Sequence, residues 1–205
     1  MKEQWQKLRA FYRGDLDHYL FITAWAFVIL AVLGWLAGTF IDGLAERTME
    51  SFAQMVSDSE IMDDSGAINV LLLFWNNVRA TVATAVFGFI PFLYLTAISL
   101  ATNASTLGIF AAVYVERGTS LLVFFASLVP HGIFELPALV LSMACGLYLC
   151  RVMTDYVRFK KKGTVGPAVM NVARVMILNV VPLLAAAAII ETYVTPAIVA
   201  AVMNL

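Results

Sequence analysis

His131 and Glu135 stand four residues apart in the decapeptide PHGIFELPAL, residues 130–139, inside an otherwise apolar stretch. On a helix that spacing places two side chains about 40° apart around the axis, so the pair acts on one face. An imidazole beside a carboxylate can relay a proton, ligate a metal, or form a buried ion pair. The chain has only two histidines, and His18 belongs to the polar N-terminal segment. A zinc site would therefore need one histidine plus carboxylates. There is no HExxH, no paired-glutamate motif of an intramembrane protease and no glycine-rich phosphate loop. An enzyme is not expected, nor is a cofactor or a metal. A proton-coupled role for His131 follows from an ordinary imidazole pKa of about 6.5 and has no independent support.

The elements that must position this pair are membrane helices. Of 205 residues, 61% are hydrophobic and 13% charged, and the mean hydropathy is +0.86. Apolar runs of about 20 residues, enough to span a bilayer, recur with little polar sequence between them. The fold class is an all-α integral membrane protein, and residues 1–205 form a single membrane domain. Residues 1–19 are polar and basic, with Trp5, Leu8 and Tyr12 at helical spacing, which predicts an amphipathic helix on the inner membrane surface. Residues 20–40 form the first span. Residues 41–70 turn acidic, and Asp42, Glu46 and Glu50 at i, i+4, i+8 oppose a stripe of Ile41, Leu44, Met49, Phe52 and Val56. That pattern predicts an external amphipathic helix, with Asp64-Ser65-Gly66 breaking the chain before the second span.

The second span is expected over 71–102 with Pro91 in its middle, and further spans over 104–129, 130–150 and 172–194. Arg151, Arg158 and Lys160 to Lys162 put the intervening loop in the cytoplasm. Five spans then carry the N-terminus inside and the C-terminus outside. Glu116, Arg117 and Gly118 would lie deep in the bilayer if 104–129 were one straight helix, so a discontinuous segment near 104–132 is expected, hinged at Arg117-Gly118. Pro130, Gly132 and Pro137 make a second break. Cys145 and Cys150, five apart in an apolar helix, read as packing residues. Gly34-x-x-x-Gly38 and Ser142-x-x-x-Gly146 lean slightly toward a homodimer. The basic loop points to anionic lipid as its partner and not to nucleic acid.

This topology places Arg79, His131, Glu135 and Glu191 in the outer half of the membrane. The expected site is an intramembrane polar cluster of Asn76, Asn77, Arg79, His131, Glu135 and Glu191, with Arg79 neutralising Glu135 or Glu191. Thr192 supplies a further hydrogen-bonding group, and Asn103 belongs to the opposite leaflet. A structural ion pair and a functional site are both consistent with such a cluster.

NNVRA (76–80), NASTLG (103–108), PHGIFELPA (130–138) followed by Gly146, and ETYVTP (191–196) resemble, in this order, the stage II sporulation protein M family of multi-pass bacterial membrane proteins. The resemblance covers roughly 70–197, with Ala104 where relatives more often carry glycine. It implies a non-enzymatic scaffold that positions peptidoglycan hydrolases, the stage II sporulation proteins D and P, during septal thinning and engulfment. For many similar proteins outside sporulation, transport or membrane remodelling is the suspected role. A channel or transporter built on broken helices and buried charge is therefore the alternative reading.

Overall fold

The computed structural model describes residues 2–59, 61 and 68–204. Among them, five helical stretches are long and apolar enough to cross a bilayer: Lys2–Phe40, Val70–Phe89, Leu95–Glu116, Leu121–Phe159 and Val165–Tyr193. The count matches the expected five, and the fold is all-α. The Asp64-Ser65-Gly66 break lies outside the described residues.

Helix α1 (Lys2–Phe11) passes through a π-helical turn (Tyr12–Leu16) directly into α2 (Asp17–Phe40). The N-terminal segment is thus no separate helix on the membrane surface. Leu8, Phe11 and Leu16 are buried in the same core as Val172, Val175 and Val180, whereas Trp5 stays exposed. Protein contact, not lipid, takes up the apolar stripe. A second π turn, Met176–Val180, joins α7 (Val165–Val175) to α8 (Val181–Tyr193). The two widened turns meet, and the Tyr12 hydroxyl donates to Asn179 Oδ1 at 3.2 Å.

Helix α2 has two distinct faces. Trp25, Ile29, Leu33, Leu36 and Phe40 recur at i+3 and i+4 and are exposed, as a lipid-facing stripe requires. Thr23, Phe27, Gly34 and Gly38 are buried on the other side. They pack on α5 (Leu95–Glu116), and a Cβ at Gly34 would collide with the Ser105 backbone, as one at Gly108 would with the Ala31 backbone. In lipid no hydrophobic force brings helices together, so close backbone approach across small residues supplies the packing energy. Ser142 and Gly146 are likewise spent inside the chain: the Ser142 hydroxyl donates to the Thr81 carbonyl, and Gly146 lies against Thr84 and Thr96. Both small-residue motifs are therefore used in contacts within the chain.

Helix α4 (Val70–Val86) is capped by Asn69, whose side chain accepts from the Leu71 and Leu72 amides at 3.0 and 3.2 Å. It ends in a 3-10 turn, Phe87–Phe89, and the chain reverses over Ile90 to Tyr94. The expected single span over 71–102 is therefore two helices and a turn. Pro91 lacks an N–H and forces Ile90 into an extended conformation, ψ 103°. Phe92 and Tyr94 complete the reversal in the left-handed region, at φ 68° and 46°, and the Phe92 amide donates to Thr154 Oγ1 at 3.0 Å. Asn103, expected where the span leaves the membrane, lies inside α5, where its amide donates to the Ser99 carbonyl at 2.8 Å.

The chain does turn at Arg117-Gly118, with Gly118 at φ 66°. The turn joins two full spans, not two half-helices. Glu116, Arg117 and Gly118 are exposed at a helix end, so no charge is left at mid-membrane there. Helix α6 (Leu121–Phe159) then runs unbroken through Pro130, Gly132 and Pro137, which correct the expectation of a break at those residues. Each proline removes one backbone donor, but with no competing water a bilayer helix keeps its remaining hydrogen bonds and only bends. Central α6 buries Ala144, Cys145, Leu149 and Cys150, and the Cys150 thiol donates to the Ile90 carbonyl at 3.4 Å. Both cysteines are packing residues, as read.

Opposite ends of the bundle differ in charge. At one end, Arg151, Arg158 and Lys160 to Lys162 are exposed, and Asp155 pairs with Arg151 at 3.4 Å and Lys161 at 3.3 Å. At the other lies α3 (Leu44–Asp58), amphipathic as expected. Its Ala45, Leu44 and Met49 pack on Ile109 and Val113 of α5, and Phe52 stacks edge-on against Phe110 at 4.9 Å. Asp42, Glu46, Glu50 and Asp58 face outward.

Candidate functional site

His131 and Glu135 project from one face of α6 toward α8 and toward α9 (Thr195–Met203), which continues α8 after a turn at Val194. Glu191 comes from α8. His131, Glu135 and Glu191 each place one potential ligand atom within 4.8 Å of the other two, and all three are half-buried. His131 Nε2 is 4.0 Å from Glu135 Oε2, beyond hydrogen-bonding distance. At about 1.5 Å per residue, His131 lies roughly 15 Å along α6 from Leu121, and Glu191 lies roughly 18 Å from Met203. Against a hydrocarbon thickness of about 30 Å, this is deeper than the outer-edge position expected for Glu191.

Thr195 completes the group. Its hydroxyl donates to the Ile190 carbonyl at 3.3 Å and lies 3.4 Å from His131 Nδ1. With its proton toward Ile190, the hydroxyl oxygen can accept from the ring in the tautomer that carries the proton on Nδ1. Nε2 then turns an unshared pair toward the carboxylates. Pro196, lacking an N–H, leaves the Thr192 carbonyl without its i+4 donor in the same helical turn.

The remaining predicted members lie elsewhere. Arg79 is exposed on α4, and among the described residues it forms no ion pair with either glutamate. Thr81 meets Ser142, so Arg79 is level with about Val140, some 7 Å along α6 from Glu135. Asn76 and Asn77 are half-buried on α4. Thr192 turns its hydroxyl back to the Ala188 carbonyl at 2.9 Å. Thr195 was the residue missed, although its position four after Glu191 already put both on one face.

Two carboxylates and one imidazole meeting at this depth, with no lysine or arginine paired to them among the described residues, form an electron-rich site in a low dielectric. A model of the stage II sporulation protein M family matches residues 22–196. The chain belongs to the stage II sporulation protein M family. The match takes in α2, α3 and all later spans, where the motifs alone reached back only to about residue 70. No curated relative and no solved structure matches the chain. Stage II sporulation protein M is not a known enzyme family.

Proposed function

We propose that this stage II sporulation protein M family member is a non-enzymatic scaffold that gathers peptidoglycan hydrolases at the outer face of a bacterial membrane during septal thinning and engulfment. The basic end faces the cytoplasm, following the positive-inside rule, and the C-terminus lies outside. The observation that carries this reading is α3. Its apolar side is locked onto α5 by Ala45, Met49 and Phe52, so Glu46 and Glu50 are presented on a fixed surface and not on a loose loop. A rigid acidic face suits docking of a basic patch on a folded partner. Family resemblance makes stage II sporulation proteins D and P the partners to test. Co-purification with the full chain in detergent is expected to fall at least tenfold when Asp42, Glu46 and Glu50 are all changed to lysine. Capture that survives replacement of residues 41–70 rules out docking through this surface.

A second reading, passage of an ion or small solute, is favoured by one observation: His131, Glu135 and Glu191 meet inside the membrane, where ionisable groups commonly line transport routes. The unbroken α6 removes the broken-helix gate from that reading. Liposome flux equal to that of empty vesicles across several ions and pH values would count against it.

A further inference from the structure

We propose that His131, Glu135 and Glu191 form an intramembrane site for a zinc-class divalent cation, which ties α6 to α8. Three separate features point to it. The first is convergence: one imidazole and two carboxylates from two helices offer ligand atoms within 4.8 Å of one another. Nitrogen and oxygen donors sit about 2.0–2.2 Å from zinc, so the set closes on one ion with side-chain movements of about 1 Å.

The second is the orientation of the histidine. Thr195 Oγ1 lies 3.4 Å from Nδ1 while Nε2 is on the Glu135 side, so the ring tautomer that donates to Thr195 turns its Nε2 lone pair toward the carboxylates. Metal-bound histidines are held in this way, with the remote ring nitrogen donating to an outer acceptor. The third is charge: among the described residues no cationic side chain is paired with Glu135 or Glu191, and Arg79 is exposed on α4, some 7 Å away along the bundle axis. A divalent ion would neutralise both carboxylates at once.

The donor chemistry selects the ion. Calcium and magnesium prefer all-oxygen shells, whereas an imidazole with carboxylates suits zinc, manganese or ferrous iron. The role is structural: it pins the fourth span against the fifth at the depth where lipid offers no other charge compensation.

The full chain, purified in detergent and stripped with chelator, is titrated with cobalt(II) as a visible-absorbing probe and then with zinc. Wild type is expected to take up one cobalt per chain with ligand-field bands, lose them to stoichiometric zinc, and melt at a higher temperature with zinc than without. Glu191→Gln should weaken uptake at least 100-fold, and Thr195→Val, which leaves every ligand in place, about 10- to 100-fold. His18→Ala should bind as wild type does. Size-exclusion profiles establish that each variant is folded. If Glu191→Gln does not fold, Thr195→Val decides alone. Wild type that binds no stoichiometric cobalt or zinc, uptake unchanged in folded Glu191→Gln or in Thr195→Val, or tighter binding of magnesium or calcium would each overturn the site.

Discussion

Small polar groups, each with one committed partner, hold the interior of this protein together. Ser142 is fully buried and donates to the Thr81 carbonyl, so it ties α6 to α4 where both helices are narrow. Ser142→Ala is expected to lower unfolding stability in detergent by about 0.6 kcal/mol, and by at most about 1.7 kcal/mol, the range for interhelical hydrogen bonds in membranes. Thermal or denaturant unfolding measures it, and no change would mean that Thr81 finds another donor. Residue types were enough to single out His131, Glu135 and Glu191, because ionisable groups stand out against an apolar background. The choice of partner was not legible. Arg79 carried the right charge to neutralise a glutamate, yet its side of α4 is set by packing around Thr81 and Thr84, which turn inward and leave Arg79 outward. Thr195 was readable from its i+4 spacing to Glu191, but hydroxyls are too common in membrane helices to mark a site unaided.

Each helix had to be told from its neighbour, and there the residue pattern was sufficient only where polarity marked the ends. The acidic connector is written in charge, so α3 was found where expected, whereas α6 runs on to Phe159, past Arg151 where the basic loop was expected to begin. The turn from Ile90 to Tyr94 is written in Pro-Phe-Leu-Tyr, which is as apolar as the spans it separates. Hydropathy cannot register such a turn, and every boundary from there to α6 moved by about half a span. The same blindness applied to the prolines: Pro91 ends a helix, whereas Pro130 and Pro137 sit inside one. What separates them is tertiary support, since Thr154 receives the Phe92 amide and Gly88 lets the turn lie on Gly146. Between α2 and α5 the contact depends on missing side chains. Gly108→Val should cost about 1–3 kcal/mol through overpacking against the Ala31 backbone and loosen α2. Limited proteolysis of the α2–α3 connection reads the loosening. Phe52→Ala should cost about 0.5–1.5 kcal/mol and free α3 without disturbing the spans.

The whole molecule is a five-span bundle with chemically distinct ends, and its orientation yields a direct test. Cysteines introduced at Asp42 and Asn204 should react with a membrane-impermeant maleimide in intact cells, and one at Lys161 only after permeabilisation. The two native cysteines are fully buried and need not be removed. Labelling of position 161 in intact cells would reverse the assigned orientation. Five crossings were legible because the number of apolar runs and the sign of the loops constrain each other. Continuity across the basic end was not, because no residue type announces a π turn. Those two turns, Tyr12–Leu16 and Met176–Val180, touch through Tyr12 and Asn179. Each holds one residue more than an α-helix of equal rise, so each acts as a phase shifter of about 100° between the part of its helix below and the part above. The partnership sets how residues 2–11 are clocked against the rest of the bundle. Deleting Gly14, whose position has open space around it, should restore a plain α-helix without breaking the chain. It would rotate Leu8 and Phe11 out of their core by about 100°, leaving all spans inserted but exposing residues 2–11 to protease.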